Sequence, residues 1–269
     1  MSTWVCRTCA TQVGESDAPP AACAICQDPR QYVKHDEGQV WLRYEDFLAG
    51  HDADVRDDHG VLGIGCTPSF AIGQRALLVK SNVGNVLWDC IPYLDEKLFQ
   101  RLADEGGLAG IAISHPHFHS AMVEWAHSFG CPIHLHESVR KHVLRDDSAI
   151  RYWAGETHGL GGGLTLVRCG GHFEGSQVLH WRDRRAIFTG DTVMVVPDRS
   201  FVSFMYSYPN LIPLPPSKVQ HVAAALAPFE FDRIYGAWWD SVIDSDGSAV
   251  VRRSVDRYVR AVTEPGLPA

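Results

Sequence analysis

The sequence predicts an α/β fold, a four-layer αββα sandwich preceded by a small zinc ribbon. Three observations carry this expectation. Short apolar strands are followed by helices twice, once in each half of the chain. Helices outside two packed sheets are one of the few arrangements that cover both apolar faces of each sheet. Near the N-terminus, two Cys-x-x-Cys pairs, Cys6/Cys9 and Cys23/Cys26, flank a polar, turn-rich stretch too short for a core of its own.

In chain order, residues 1–34 read as the ribbon-like knuckle, 35–59 as a charged connector, and 60–269 as the main domain. One short helix is expected around "LRYEDFLAG", with Trp41, Tyr44 and Phe47 packing the knuckle onto the domain. The domain opens on "VLGIGC", "SFAIG", "RALLVKS" and "NVLWDC" as strands, with "NVGN" as a hairpin turn. A helix over 94–103, a strand "LAGIAIS", a helix over 121–129, a strand "PIHLH" and a short helix near 138–144 follow. The second half gives strands "LTLVRC", "SQVLHW" and "RAIFTG", an aromatic loop, a helix over 217–226, a strand "FDRIYG" and a last helix near 249–262.

Composition narrows the function. Of the 269 residues, 45% are hydrophobic, with 8 Trp, 11 Phe and 8 Tyr, enough for a substantial interior. No apolar run approaches the ~20 residues that span a bilayer, so a soluble chain with no membrane partner is expected. The N-terminus lacks the basic start and apolar stretch of a secretory signal, which predicts a cytoplasmic location. A net charge of −8 without a Lys/Arg cluster argues against nucleic acid and for a small-molecule substrate. The oligomeric state is left open.

Eight cysteines in such a chain are expected as thiols or metal ligands. Cys66, Cys90, Cys131 and Cys169 are scattered singly and read as small buried hydrophobes. Cys6, Cys9, Cys23 and Cys26 place two thiolates on each of two tight turns, so four sulfurs can converge on one ion, with thirteen residues between the pairs. Structural zinc is the expectation; a rubredoxin-like iron and four unrelated thiols are the alternatives.

The stretch "ISHPHFHSAMVEW" sets His115, His117 and His119 on alternate positions. Pro116 cannot donate to a sheet ladder, so the motif belongs in the loop past a strand end. Two imidazoles there can turn toward one ion, but completing a tetrahedron needs ligands from other strand ends. "GGHFEGS" offers His172, and "FTGDTV" offers Asp191.

In this order the chain resembles the metallo-β-lactamase superfamily of metal-dependent hydrolases over roughly residues 60–263: "VLWDC" with Asp89, then "HPHFHS", a glycine-flanked His172, and the "GD" of Asp191. The resemblance implies one metal on His115, His117 and His172, with Asp191 as fourth ligand or bonded to bound water. The second metal of the family pattern would use the positions of His119, Ser120 and Ala237 or Trp238, two of which cannot ligate it. His119 stands where relatives have a water-orienting Asp, which implies a catalytic role beside Asp191.

The expected chemistry is zinc-activated hydrolysis of a small ester, lactone, thioester or amide. The loop "FVSFMYSYPNLIPLPP" is expected to wall the pocket, with Tyr206, Tyr208 and Trp238 facing substrate and Trp239 beside Trp238 at its floor. Two alternatives stay open. Iron on His115, His172 and Asp191 would make a non-haem oxygenase resembling persulfide dioxygenases, and a metal-free relative would be a ligand-binding protein.

Overall fold

The structure, a computed structural model, describes residues 2–263. Strands β1 (Ser2–Cys6), β2 (Gln12–Ser16) and β3 (Trp41–Arg43) form a small antiparallel sheet in the order β2-β1-β3. Helix α1 (Tyr44–Ala49) follows. Strand β4 (Asp52–Asp58) then pairs along its whole length with β5 (Val61–Thr67). Residues 35–59, expected as a connector, therefore belong to both bodies: β3 completes the knuckle's sheet and β4 is the edge of the main one. The acidic "DADVRDD" lacks an apolar alternation, and charge suits an edge strand because it discourages further pairing.

The first large sheet continues through β6 (Ala76–Ser81), β7 (Gly84–Trp88), β8 (Gly110–Ala112), β9 (Ile133–His136) and β10 (Ile150–Trp153), in the order β10-β9-β8-β7-β6-β5-β4. It is antiparallel up to β7 and parallel beyond, where α2 (Glu96–Asp104) and α3 (Met122–Phe129) make the crossovers. "SFAIG" is not a strand. It turns between Phe70 and Gly73, burying Phe70 against Phe47 and leaving Ala71 and Ile72 at the pocket described below. The helix expected near 138–144 is a 3-10 turn over Glu137–His142.

The second sheet contains β11 (Thr157–Gly161), β12 (Leu164–Arg168), β13 (Gln177–Trp181) and β14 (Ala186–Phe188). Two short ribbons follow, β15 (Met194–Val195) with β16 (Val202–Ser203) and β17 (Met205–Ser207) with β18 (Ile212–Pro213). Helix α4 (Pro216–Leu226), strands β19 (Arg233–Tyr235) and β20 (Val242–Ile243), and helix α5 (Gly247–Thr263) complete the fold. The sheet order is β11-β12-β13-β14-β19-β20.

Period-two alternation along these strands divides the apolar side chains among three cores. Leu78, Leu87 and Ile111 face α2 and α3, meeting Leu98, Leu102 and Trp125. Leu77, Val79 and Trp88 face the other way, against Leu166, Leu179 and Phe188 of the second sheet. Val167, Val178 and Ile187 turn outward again, onto Val219, Val222 and Val251 of α4 and α5. Three cores between four layers are the sandwich expected. Among the described residues, no helix is long and apolar enough to cross a membrane.

One buried ion pair joins this frame to the region of the site. Arg75 Nε donates to the Asp58 carboxylate, both side chains being shut off from solvent. Arg75 Nη1 also donates to the Gly236 carbonyl at 2.7 Å, and the Asp240 amide donates to Asp58 at 3.3 Å. The pair thus fixes the loop after β19 that carries Trp238. Removing one member of a buried pair leaves the other charge uncompensated. Asp58→Ala is expected to lower the urea unfolding free energy by about 3–5 kcal/mol, whereas Asp58→Leu combined with Arg75→Met should recover most of it. A loss for Asp58→Ala no larger than that of an exposed substitution would show that the pair does not hold this corner.

Candidate metal centre and pocket

The ligands lie past three strand ends drawn from both sheets. After β8 the chain runs extended to His115, and the 3-10 turn Pro116–Phe118 brings His117 back beside it. After β12, Gly170 and Gly171 adopt left-handed conformations and deliver His172. After β14, Gly190 does the same for Asp191. A side chain at Gly190 is excluded twice, by its φ of +52° and because a Cβ would come within 2.3 Å of Ser114 Oγ. That glycine lets the ends of the two sheets meet.

The three imidazoles form a near-equilateral triangle, each pair of ring centroids 5.0 Å apart. His172 Nε2 lies 3.2 Å from His117 Nδ1, and His115 Nε2 lies 3.4 Å from Asp191 Oδ2. Metal–nitrogen bonds of ~2.0–2.1 Å at the tetrahedral angle put ligand atoms about 3.4 Å apart, so the spacing fits one ion. Donor chemistry agrees. His172 Nδ1 donates to the Met205 carbonyl at 3.1 Å and His115 Nδ1 pairs with Ser114 Oγ at 2.9 Å, which leaves each Nε2 for the centre. His115 Nε2 and Asp191 Oδ1 are buried without a hydrogen-bond partner.

Electrostatics set the ligands' charge state. Burial, helped by His115, pushes His172 down to about 4, and burial with His115 and His172 pushes His117 well below its ordinary value. Burial acts in the opposite sense on Asp191, but His115 and His172 outweigh it and hold the carboxyl below its usual range. His117 and His172 are thus pushed toward the neutral ring and Asp191 toward the carboxylate, the forms in which these groups bind a cation.

Cys6, Cys9, Cys23 and Cys26 also converge, all of them buried. Cys6 and Cys26 sulfurs are 3.5 Å apart and those of Cys9 and Cys23 are 3.7 Å apart. Tetrahedral zinc–sulfur bonds of ~2.3 Å require about 3.8 Å, and a disulfide far less, so these thiols fit an ion. Hydrogen bonds from Cys23, Cys26 and Cys9 pull the Cys6 thiol down, toward thiolate.

Other expected residues fall differently. His119 joins neither the converging set nor the pocket wall; it is buried with both ring nitrogens unpartnered, and burial, with His115 and His142 adding to it, pushes it down to about 3. Ser120, at a second-metal position of the family pattern, is occupied with the knuckle: its carbonyl accepts from the Gln12 amide at 3.3 Å and its hydroxyl faces the Ala10 carbonyl at 3.5 Å. Trp238 donates to the Ile72 carbonyl at 3.1 Å. Among the described residues of the main domain, one buried group, His115, His117, His172 and Asp191, converges as a ligand set, and Ser120 and Trp238 are engaged in other contacts.

A cavity of about 280 Å³ opens on His117, His172 and Asp191, and Tyr208 and Trp238 are among the residues that line it. Tyr206 does not; it packs toward the core under α4 and α5, where Arg30 lies over its ring. Trp239 lies instead on β5, where Gly63 and Gly65 make room for its ring. Ala71, Ile72, Thr8, Arg30, Gln31 and Tyr32 line the cavity too. No sequence signal marked these, because a wall shared between knuckle and domain has no periodicity of its own.

The chain is expected to carry one ion on the thiols and one on the imidazole–carboxylate set when isolated with metal. His115→Ala should release only the second, read by elemental analysis. Loss of both ions from that variant, or one ion in the unaltered chain, would break the assignment.

No family model matches the sequence. The protein "Uncharacterized protein YmaE" of Bacillus subtilis (strain 168) is 43% identical over 269 residues, 97% of each chain. Among solved structures, the DIM-1 metallo-β-lactamase superposes with a TM-score of 0.59 at 16% identity, covering 78% of this chain and 98% of its own. TTHA1623, solved in a di-iron-bound form, gives 0.52 at 18% identity, covering 76% and 99%. Fold, ligand order and the full-length relative together place the chain as a metallo-β-lactamase-fold protein of the family to which YmaE belongs.

Proposed function

We propose that the chain is a metal-dependent hydrolase of a small ester, lactone, thioester or amide with an apolar acyl group. The observation that carries this is the convergence of His115, His117, His172 and Asp191 on one side of a cavity sized for a small molecule. Zinc held there would supply a Lewis acid and a bound water of pKa ~7. The protein's own part falls to Asp191. Its unpartnered Oδ1 accepts a hydrogen from the attacking water and aims it, while Tyr208, whose hydroxyl donates to the Asp191 carbonyl at 2.8 Å, fixes the backbone of that residue. His119, outside the cavity wall, supports the motif loop in this reading and does not take the proton.

The acyl preference comes from the mouth of the cavity. Tyr32, Val33, Leu211 and Ile212 are exposed, 43%, 40%, 79% and 43% respectively, and Asn210 Nδ2 joins their two segments by donating to the Gln31 carbonyl at 3.1 Å. Tyr32 and Pro209 line the cavity, and exposed apolar side chains next to them in both segments suit a chain extending from it. Each buried methylene adds about 0.8 kcal/mol.

The same residues include two imidazoles and one carboxylate, His115, His172 and Asp191, the donor set of mononuclear iron oxygenases. X-ray anomalous scattering at the zinc and iron edges, with oxygen uptake on a thiol persulfide, separates that reading from hydrolysis. With nitrophenyl esters of increasing acyl length, kcat/KM is expected to rise with the chain, and Leu211→Ser with Ile212→Ser should flatten the rise while sparing the acetyl ester. Asp191→Asn should cut kcat/KM by about 100-fold or more, and His119→Ala by less than about tenfold with the ion retained. A collapse of turnover in His119→Ala with intact metal would return the proton to that ring. Absence of hydrolysis by the metal-loaded chain on every acyl class would leave a ligand-binding protein.

A further inference from the structure

Arg30 lies four residues beyond Cys26, and the chain between the knuckle and this side chain is hydrogen-bonded step by step. The Gln27 amide donates to the Cys23 carbonyl at 3.0 Å, Asp28 to Ile25 at 3.3 Å and Gln31 to Asp28 at 2.9 Å. Asp28 holds the guanidinium as a fork, its two carboxylate oxygens each 2.6 Å from one nitrogen, Nε and Nη2. The remaining terminal nitrogen, Nη1, donates to the backbone carbonyl of His172 at 3.2 Å, and the guanidinium carbon sits 3.7 Å over the Phe173 ring. Both side chains of the ion pair are largely buried, 16% and 11% exposed.

His172 is held on its other side by the Met205 carbonyl, and that segment returns to Arg30. Ser207 Oγ donates to the Arg30 carbonyl at 3.0 Å, and Asn210 Nδ2 reaches the carbonyls of Pro29 and Gln31. The contacts close a loop through knuckle, Arg30, His172, Met205 and Ser207. Asp28 also cancels a positive charge that would otherwise oppose a cation nearby.

We propose that Arg30 is a positioning residue through which the four-cysteine knuckle fixes His172, so that metal on the thiols governs how firmly the main domain keeps its own ion. The inference does not depend on hydrolysis. The four thiols anchor the Cys23–Cys26 turn only when an ion ties them, since metal binding in such a knuckle is also its folding energy. With the turn loose, Asp28 and Arg30 lose their seat and His172 its outer support. Contacts to a ligand ring itself are worth about 10–100-fold in metal affinity, and Arg30, which reaches His172 through its backbone carbonyl, is expected near the low end of that range.

The test uses the full chain loaded with cobalt at both sites. Thiolate-to-cobalt charge transfer reports the knuckle, ligand-field bands report the imidazole–carboxylate site, and release to EDTA is followed at each. Arg30→Ala is expected to speed release from the main site about tenfold or more, with the thiolate band unchanged and the chain folded by circular dichroism. Arg30→Lys should follow Arg30→Ala, because an ammonium keeps the charge without the fork. Cys23→Ala with Cys26→Ala should produce the same acceleration without touching Arg30; if that variant does not fold, Asp28→Asn replaces it. Main-site release at the unaltered rate in Arg30→Ala would overturn the proposal, and so would unaltered release from a folded chain whose knuckle is empty.

Discussion

The spacing between the two sheets at their ligand-bearing ends is the constraint on which the rest depends. His115 comes from one sheet, His172 and Asp191 from the other, and ligand atoms must sit within a few tenths of an ångström of tetrahedral separation. Gln177, fully buried on β13, sets that spacing: its amide nitrogen donates to the Ile113 and His134 carbonyls at 2.8 and 3.1 Å, its oxygen accepts from Trp153 at 2.9 Å, and its backbone donates to the Ser114 carbonyl at 2.9 Å. Every polar atom of this side chain is used across the gap. A buried amide satisfied in this way specifies one register, because any shift leaves donors unpaired at a cost of ~1–3 kcal/mol each. Asp89 acts from within the first sheet. Burial pushes its carboxyl up to about 6, yet its oxygen takes the Ser114 amide at 2.7 Å and holds the chain straight just before His115.

The layers and the ligands were legible in sequence because each has a local signature. Short apolar runs identify β6, β7, β12 and β13 whatever their partners, and His115, His117, His172 and Asp191 each sit beside residues that end a strand or free the backbone. Strand β4 was illegible because an edge strand needs only one neighbour and carries charge where a central strand carries apolar side chains. Tyr206 and Tyr208 show the limit within one loop. They stand two apart in a stretch without regular period, and which one faces the cavity is decided by the ribbon β17–β18 and by the Tyr208 bond to Asp191. Arg30 was illegible for another reason: its partners are 142 and 177 positions away, and nothing beside it in the chain announces them.

The same kind of long-range contact engages the positions where the family pattern places a second ion. Loss of a ligand at Ser120 leaves a polar, buried spot, and an unfilled polar spot is costly. Here the knuckle meets it, the Gln12 amide donating to the Ser120 carbonyl and the Ser120 hydroxyl facing the Ala10 carbonyl. His119 differs from Ser120: burial pushes its ring down to about 3, and both of its nitrogens lie buried without a partner.

A wall built from the knuckle has a property that a loop of the same length lacks. Residues 28–32 carry little apolar surface of their own, so ordering them as a free loop would cost backbone entropy of ~1–2 kcal/mol per residue with few contacts in return. Tied to the four-cysteine cluster on one end and to Ser207 and Asn210 on the other, the segment is held by contacts made outside the cavity. Thr8, Gln31 and Tyr32 are then free to present side chains to a bound molecule without also holding the chain in place. The division of labour is physical: the thiol site supplies order, the imidazole–carboxylate site supplies chemistry, and the guanidinium of Arg30 is where the two meet.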